Sequence, residues 1–153
     1  MKETYVFLLC VMALSGCGDG SMQDAATSTG RHYEKHVLAR GERIFQTHCA
    51  VCHGHNGESR PNWQVRGSDG MLPPPPLDDN GRAWQRTRPW LKQKIHDGSA
   101  PGQGNMPPWG NKLTAEEIDD VVTWVTSLWS DAVYLQWQQV ERAGLPPLQE
   151  RLK

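Results

Sequence analysis

Cys49-Ala50-Val51-Cys52-His53 is the stretch on which the reading of this 153-residue chain turns. Two thiols three positions apart, followed at once by an imidazole, form the attachment signature for c-type haem. The thiols add across the two vinyl groups of the porphyrin, and the adjacent His reaches the iron as proximal ligand. Other uses of a Cys pair fit less well. A thioredoxin-like dithiol wants a βαβ context, and no strand pattern longer than a few residues appears. A zinc site needs two further ligands at similar spacing, and no second pair of this kind is present.

Working outward, the segment before the motif has helical periodicity. Val37, Leu38, Gly41, Ile44, Phe45 and His48 fall at i, i+1, i+4, i+7, i+8 and i+11, which predicts a helix from about Tyr33 to Cys49. Gly inside a helix costs ~1 kcal/mol against Ala, so Gly41 is expected to serve close packing. Residues 56–81 are rich in Gly, Pro and Asn and contain Pro73-Pro74-Pro75-Pro76, an extended, rigid run. A short helix is predicted over Arg88–Asp97, ended by Gly98. A second loop, 98–111, carries Asn105-Met106-Pro107-Pro108-Trp109-Gly110. The next helix is well signalled: Thr114 and Glu117 have capping-box spacing, and Leu113 and Ile118 stand as a hydrophobic staple. Its expected apolar face is Ile118, Val121, Val122, Val125, Leu128 and Trp129. A last helix over Asp131–Arg142 has Tyr134, Trp137 and Val140 on one side and ends at Gly144.

The N-terminus reads as a targeting segment. Lys2 precedes a ten-residue, almost wholly apolar run, Tyr5–Leu14, too short for the ~20 residues of a membrane span. Leu14-Ser15-Gly16-Cys17 then resembles the lipobox of bacterial lipoproteins. That resemblance implies cleavage before Cys17 and lipidation of its thiol, with acyl methylenes each contributing ~0.8 kcal/mol of membrane affinity. The alternative is an ordinary signal peptide cut near Gly18 or Gly20, which leaves a free periplasmic protein. Gly18–Gly30 reads as a flexible tether. The expected organisation is a signal peptide over 1–16, a tether over 17–31, a folded domain over 32–130 and a helical extension over 131–153.

An N-terminal helix, Cys-x-x-Cys-His, a Pro-rich loop, a late Met-Pro loop and an amphipathic C-terminal helix, in that order, resemble a bacterial class I cytochrome c over roughly residues 33–130. The resemblance implies an all-α fold wrapped around one covalent haem c, held by Cys49, Cys52 and His53. It implies that the terminal helices cross, Gly41 and Phe45 packing on Trp124 and Leu128. Pro75, in Pro75-Pro76-Leu77, is implied as the carbonyl that accepts the proximal His ring N–H, and Met106 as the distal ligand. Met71 is expected too near the proximal side for that role, and His96 or an open site are the alternatives to Met106. His48 is expected to point away from the iron and His55 to lie in a loop near the haem edge. The tail after Trp129 is similar to that of short bacterial mono-haem cytochromes; it is expected to pack on the core, or else to bind a partner.

Composition adds a large flat payload: seven Trp, with Trp63, Trp84, Trp90 and Trp109 expected to bury the haem. Trp84, or Arg82, is the candidate donor to a haem propionate. A net charge of −1 offers no basic field for nucleic acid. The basic cluster Arg82, Arg86, Arg88, Lys92, Lys94 and the acidic cluster Glu116, Glu117, Asp119, Asp120 are expected to be solvated faces or a steered docking surface. The function expected is single-electron transfer between redox proteins in the bacterial periplasm, from a membrane lipid anchor, without catalysis. The alternatives are a haem sensor or peroxidase-like site with a labile Met106, and a fixed subunit of a larger oxidase or dehydrogenase.

Overall fold

The computed structural model describes residues 29–144. The signal segment 1–16, Cys17, most of the tether and the end of the 131–153 extension lie outside the described residues. Within them the regular structure is helical: α1 (Lys35–His48), α2 (Ala50–His53), a single 3-10 turn (Ala83–Gln85), α3 (Arg88–Asp97), α4 (Ala115–Ser127) and α5 (Asp131–Ala143). This is the all-α class read from the sequence. The first helix begins at Lys35, two residues after the predicted Tyr33.

The centre of the fold is the crossing of α1 over α4. Gly41 is what allows it. A Cβ at this position would run into the backbone carbonyl of Asp120 and stand 3.1 Å from Trp124 Cβ. With the backbones that close, Phe45 lies against Trp124, ring centroids 4.2 Å apart, and becomes fully buried. Burying such a side chain contributes roughly 1.5–3 kcal/mol. Ile44, Ile118, Val121 and Val125 complete the same core.

The start of α4 carries the capping box legible in the sequence. Thr114 Oγ1 accepts from Glu117 N at 3.2 Å, and Glu117 Oε2 accepts from Thr114 N at 2.9 Å. Its apolar stripe is wider than the six predicted positions. Asp120, Thr123, Trp124 and Thr126 are buried as well, because α1 and α3 both pack on it. Each buried polar group there has a partner. Asp120 is met by Arg40, and Thr126 Oγ1 shares a hydrogen bond of 3.0 Å with the Tyr33 hydroxyl.

Part of the two charge clusters meets between α3 and α4. Arg88 Nη2 and Lys92 Nζ each lie 2.9 Å from the Asp119 carboxylate, and Arg40 Nη2 lies 2.6 Å from Glu116. The reason is topological: α3 packs on α4 over this stretch, which linear sequence does not reveal.

Helix α5 packs on the core as the sequence suggested. Trp137 is buried against Trp129, centroids 5.3 Å apart, and donates its indole N–H to Arg86 O at 2.9 Å. Glu141 accepts from the backbone N–H of Arg88 at the head of α3. The other end of the described chain joins the same region. Arg31 donates to Trp129 O (2.8 Å) and Ser130 O (3.0 Å), and its guanidinium sits 4.2 Å over the Tyr134 ring.

Two outcomes follow. Gly41→Ala, which helix propensity alone would favour, is expected to lower stability by about 1–3 kcal/mol in denaturant melts, because the added methyl overpacks against a backbone. Arg88 beside Asp119 holds that carboxyl below its ordinary range, with Lys92 adding to the effect. A depressed carboxylate value means stabilisation that is present above the unfolded value, ~4, and lost as pH falls through the folded one. Arg88→Met is therefore expected to lower the melting midpoint at neutral pH, with the difference from wild type shrinking as pH falls below ~4, read by thermal melts across pH.

Candidate functional site

The motif sits where α1 ends. Cys49 is the C-cap of α1 and the N-cap of α2, in one helical conformation (φ −110, ψ −36). Cys49 O accepts from both Cys52 N and His53 N at 3.0 Å, so the two thiols and the imidazole are presented by one tight turn. Gly54, at φ 81, then turns the chain out of the helix. Cys49 is half-buried against the core and Cys52 is exposed, and both are free thiols. Burial pushes the Cys49 thiol up to about 11, with the neighbouring Cys52 adding to it. Both causes keep Cys49 protonated at neutral pH.

His53 is oriented by the proline run. Its Nδ1 lies 3.1 Å from Pro75 O, which fixes Nδ1 as the protonated nitrogen and leaves Nε2 with its lone pair. Burial lowers the imidazole's pKa, partly opposed by the Pro75 carbonyl, so the ring stays neutral. The run is suited to this task because prolines have no N–H and leave only carbonyls to satisfy. Ser59 Oγ donates to Pro74 O, and Ser59 N donates to His53 O at 2.7 Å. Leu77 O accepts the Trp129 indole N–H at 2.7 Å, and Leu77 N donates to Gly57 O at 2.7 Å. Gly81 packs directly on Pro76 O, where a Cβ has no room. Ser59, Gly57 and Trp129 as supports of the proline run were not singled out from sequence; the positive φ of Ser59 (58°) leaves no composition signal.

Met106 is half-buried in the loop between α3 and α4. Its carbonyl accepts from Ser99 N at 2.8 Å and packs on Gly98, whose φ of +72 leaves no space for a side chain. Beyond it, Trp109 N and Gly110 N donate to His96 O at 3.1 and 3.0 Å. The loop is thus stapled to the end of α3 at Met106 itself and again just beyond it. Met71, expected near His53, has its backbone N–H held by Asp69, whose other oxygen holds Asn105 beside Met106.

Trp84 donates its indole N–H to Gly81 O at 3.0 Å, within a turn of the chain itself. Trp109 packs on His48, centroids 4.9 Å apart, with Lys112 5.1 Å over its ring. Trp90 lies under the Arg86 guanidinium. His55 is clamped to Gln46, Nδ1 to Oε1 at 2.7 Å, and His96 Nδ1 faces Asp97 at 2.6 Å.

These residues fit a covalent haem. Residues 54–82 hold no regular structure, and their side chains bury little, although loops of that length in compact domains are uncommon unless functional. The large hydrophobics left exposed among the described residues, Val51 (87%), Val65 (63%) and Leu72 (44%), all lie on the motif or on this loop. Together with two free thiols and a pre-oriented neutral imidazole, they match a large apolar group bound at this place. No three His, Cys, Asp or Glu side chains among the described residues converge as a metal cage, which sets the zinc reading aside.

A family model described as cytochrome c oxidase, cbb3-type, subunit III, matches residues 36–125, more than half of the chain. The chain belongs to this cytochrome c family. A cytochrome of this family carries covalently bound haem c. Among its relatives, the cbb3-type cytochrome c oxidase subunit CcoP of Rubrivivax gelatinosus is 36% identical over 93 residues, 60% of this chain and 26% of that protein. Cytochrome c-L of Methylorubrum extorquens is 30% identical over 112 residues, 69% of this chain and 49% of that one. Cytochrome c-551 of Bacillus subtilis is 29% identical over 114 residues, 61% of this chain and 99% of that one. The cytochrome therefore spans between about a quarter and a half of the first two relatives.

The exposed thiol and the imidazole of the motif make distinct predictions. Cys52→Ser is expected to leave haem attached through one thioether, visible as a red-shifted reduced pyridine-haemochrome band and a retained haem stain after denaturing electrophoresis. His53→Ala is expected to abolish holoprotein accumulation.

Proposed function

We propose that this cytochrome is a mono-haem single-electron carrier working between extracytoplasmic redox proteins. In this reading Cys49 and Cys52 would form the thioethers, and His53 and Met106 would hold the iron. The observation that carries it is the Nδ1 contact of His53 with Pro75 O, which leaves a neutral, fixed Nε2 for the iron. Haem c supplies a one-electron ferric/ferrous couple. The chain's residues decide how that couple is used. The Pro75 carbonyl sets the tautomer of His53 and raises its basicity. The thioether of Met106 favours the reduced state relative to a second His, so the potential is positive. With the iron held by two protein side chains, a substrate would have no open coordination site, which favours a carrier over an enzyme.

Cys17 is proposed as the lipid site, with residues 18–31 as the tether to a membrane surface on the periplasmic side. No described helix is long and apolar enough to cross a membrane. The domain proper is taken as 32–130, and 131–153 as an extension whose helix α5 is fixed by Trp137. A second reading, a subunit held in a larger oxidase, is favoured by one observation: the family description and the CcoP relative both name cbb3-type oxidase subunits.

Optical spectra test the ligation. The oxidised protein is expected to show a weak charge-transfer band at the red edge of the visible spectrum. Met106→Ala is expected to lose that band, to bind carbon monoxide when reduced, and to shift to a lower potential in redox titration. A wild type that is high-spin or reactive towards carbon monoxide overturns the carrier reading in favour of a sensor or peroxidase-like site. Co-purification with an oxidase in stoichiometric amount, after mild solubilisation, decides for the subunit reading.

A further inference from the structure

We propose that Asp69 is a positioning residue that holds the Met106 loop closed, an inference that rests on the His53/Met106 reading. The observation is a bridge between two loops distant in sequence. Asp69 Oδ1 accepts from Met71 N at 2.9 Å, while its Oδ2 accepts from Asn105 Nδ2 at 3.0 Å. Asn105 is the residue before Met106, so the carboxylate acts one peptide away from the thioether. The loop that carries Asp69 is itself braced. Gly67 N donates to Met71 O at 2.8 Å, Gly70 N to Gly67 O at 3.0 Å, and Arg66 Nη1 to Gly70 O at 2.7 Å. Asp69 thus projects from a small closed turn, not from free chain.

The need for such a latch follows from what else holds Met106. On the α3 side the loop is stapled through Ser99 N to Met106 O, and again through Trp109 and Gly110 to His96 O. Between them, residues 100–105 leave α3 as an exposed excursion whose one internal backbone hydrogen bond among the described residues is Gln103 N to Ala100 O. The bond from Asp69 is what joins this excursion to the proline-run side of the molecule. A carboxylate fits the place because it accepts two hydrogen bonds at once, one on each oxygen. Both Met71 N–H and Asn105 Nδ2–H are donors, so an amide or hydroxyl at position 69 serves them less well.

The bridge is on the surface, so its loss is expected to leave the fold intact and to act on loop opening. Opening is read by the rate at which imidazole binds the ferric holoprotein, since an external ligand must wait for the Met106 thioether to leave. Asp69→Ala is expected to speed imidazole binding about three- to tenfold, the span of one net hydrogen bond, with the charge-transfer band still present at neutral pH and the melting midpoint unmoved. Asn105→Asp, which sets two carboxylates face to face, is expected to do the same. The reciprocal pair D69N/N105D restores one amide and one carboxylate, keeps an oxygen for Met71 N–H, and is expected to return the rate towards wild type. An unchanged rate in Asp69→Ala overturns the inference, as does a faster rate that the reciprocal pair fails to correct. A wild type that lacks the charge-transfer band overturns the ligation reading and this inference with it, so the two failures are told apart by the wild-type spectrum.

Discussion

The contact between Gly41 and the Asp120 carbonyl is the constraint on which the rest of this molecule depends. It brings two helices from opposite ends of the described chain to backbone contact, with no side chain between them. Once that distance is set, everything from Cys49 to Leu113 must run out and return within a closed loop. The motif is fixed by the end of one of these helices, and the Met106 loop leads directly into the start of the other. Precision at the site therefore comes from a crossing that contains none of the site's residues.

The middle of the chain shows how little secondary structure such a site needs. A proline run presents carbonyls in a stiff array, and side chains from three separate places take them up: Ser59 at Pro74, His53 at Pro75 and Trp129 at Leu77. One of these partners is the imidazole, one a loop hydroxyl, and one the indole that follows α4. The orientation of His53 is thereby tied both to the helix that carries it and to the end of α4. Trp129, remote in sequence from the motif, thus holds the same stretch of backbone as the ring, two residues further on.

Much of this was legible in the sequence because it depends on local chemistry. The capping box at Thr114 and Glu117, the end of α3 at Gly98 and the close-packed Gly41 are all written in short spacings, while the Pro75 carbonyl came only with the family resemblance. The parts that were not legible depend on which surfaces meet. The basic residues of α3 and the acidic residues of α4 look like two exposed faces until the helices are packed, when Arg88 and Lys92 close on Asp119. The acceptor that Trp84 finds, Gly81 O in the turn three residues earlier, is likewise not disclosed by composition. Asp69 carried no signal at all, since its partner Asn105 lies 36 residues away and neither side chain is buried.

The Arg31 clamp has a mechanical consequence. The guanidinium is bound to the carbonyls of Trp129 and Ser130 and lies on the Tyr134 ring, before α1 has begun. Tension applied to the chain ahead of this point is delivered to the junction of α4 and α5, where it acts as shear on a buried tryptophan pair. The first turn of α1, which has no side-chain cap, is spared that load. A head pulled from its N-terminal side would thus keep the first turn of the helix that leads to Cys49 out of the direct line of force.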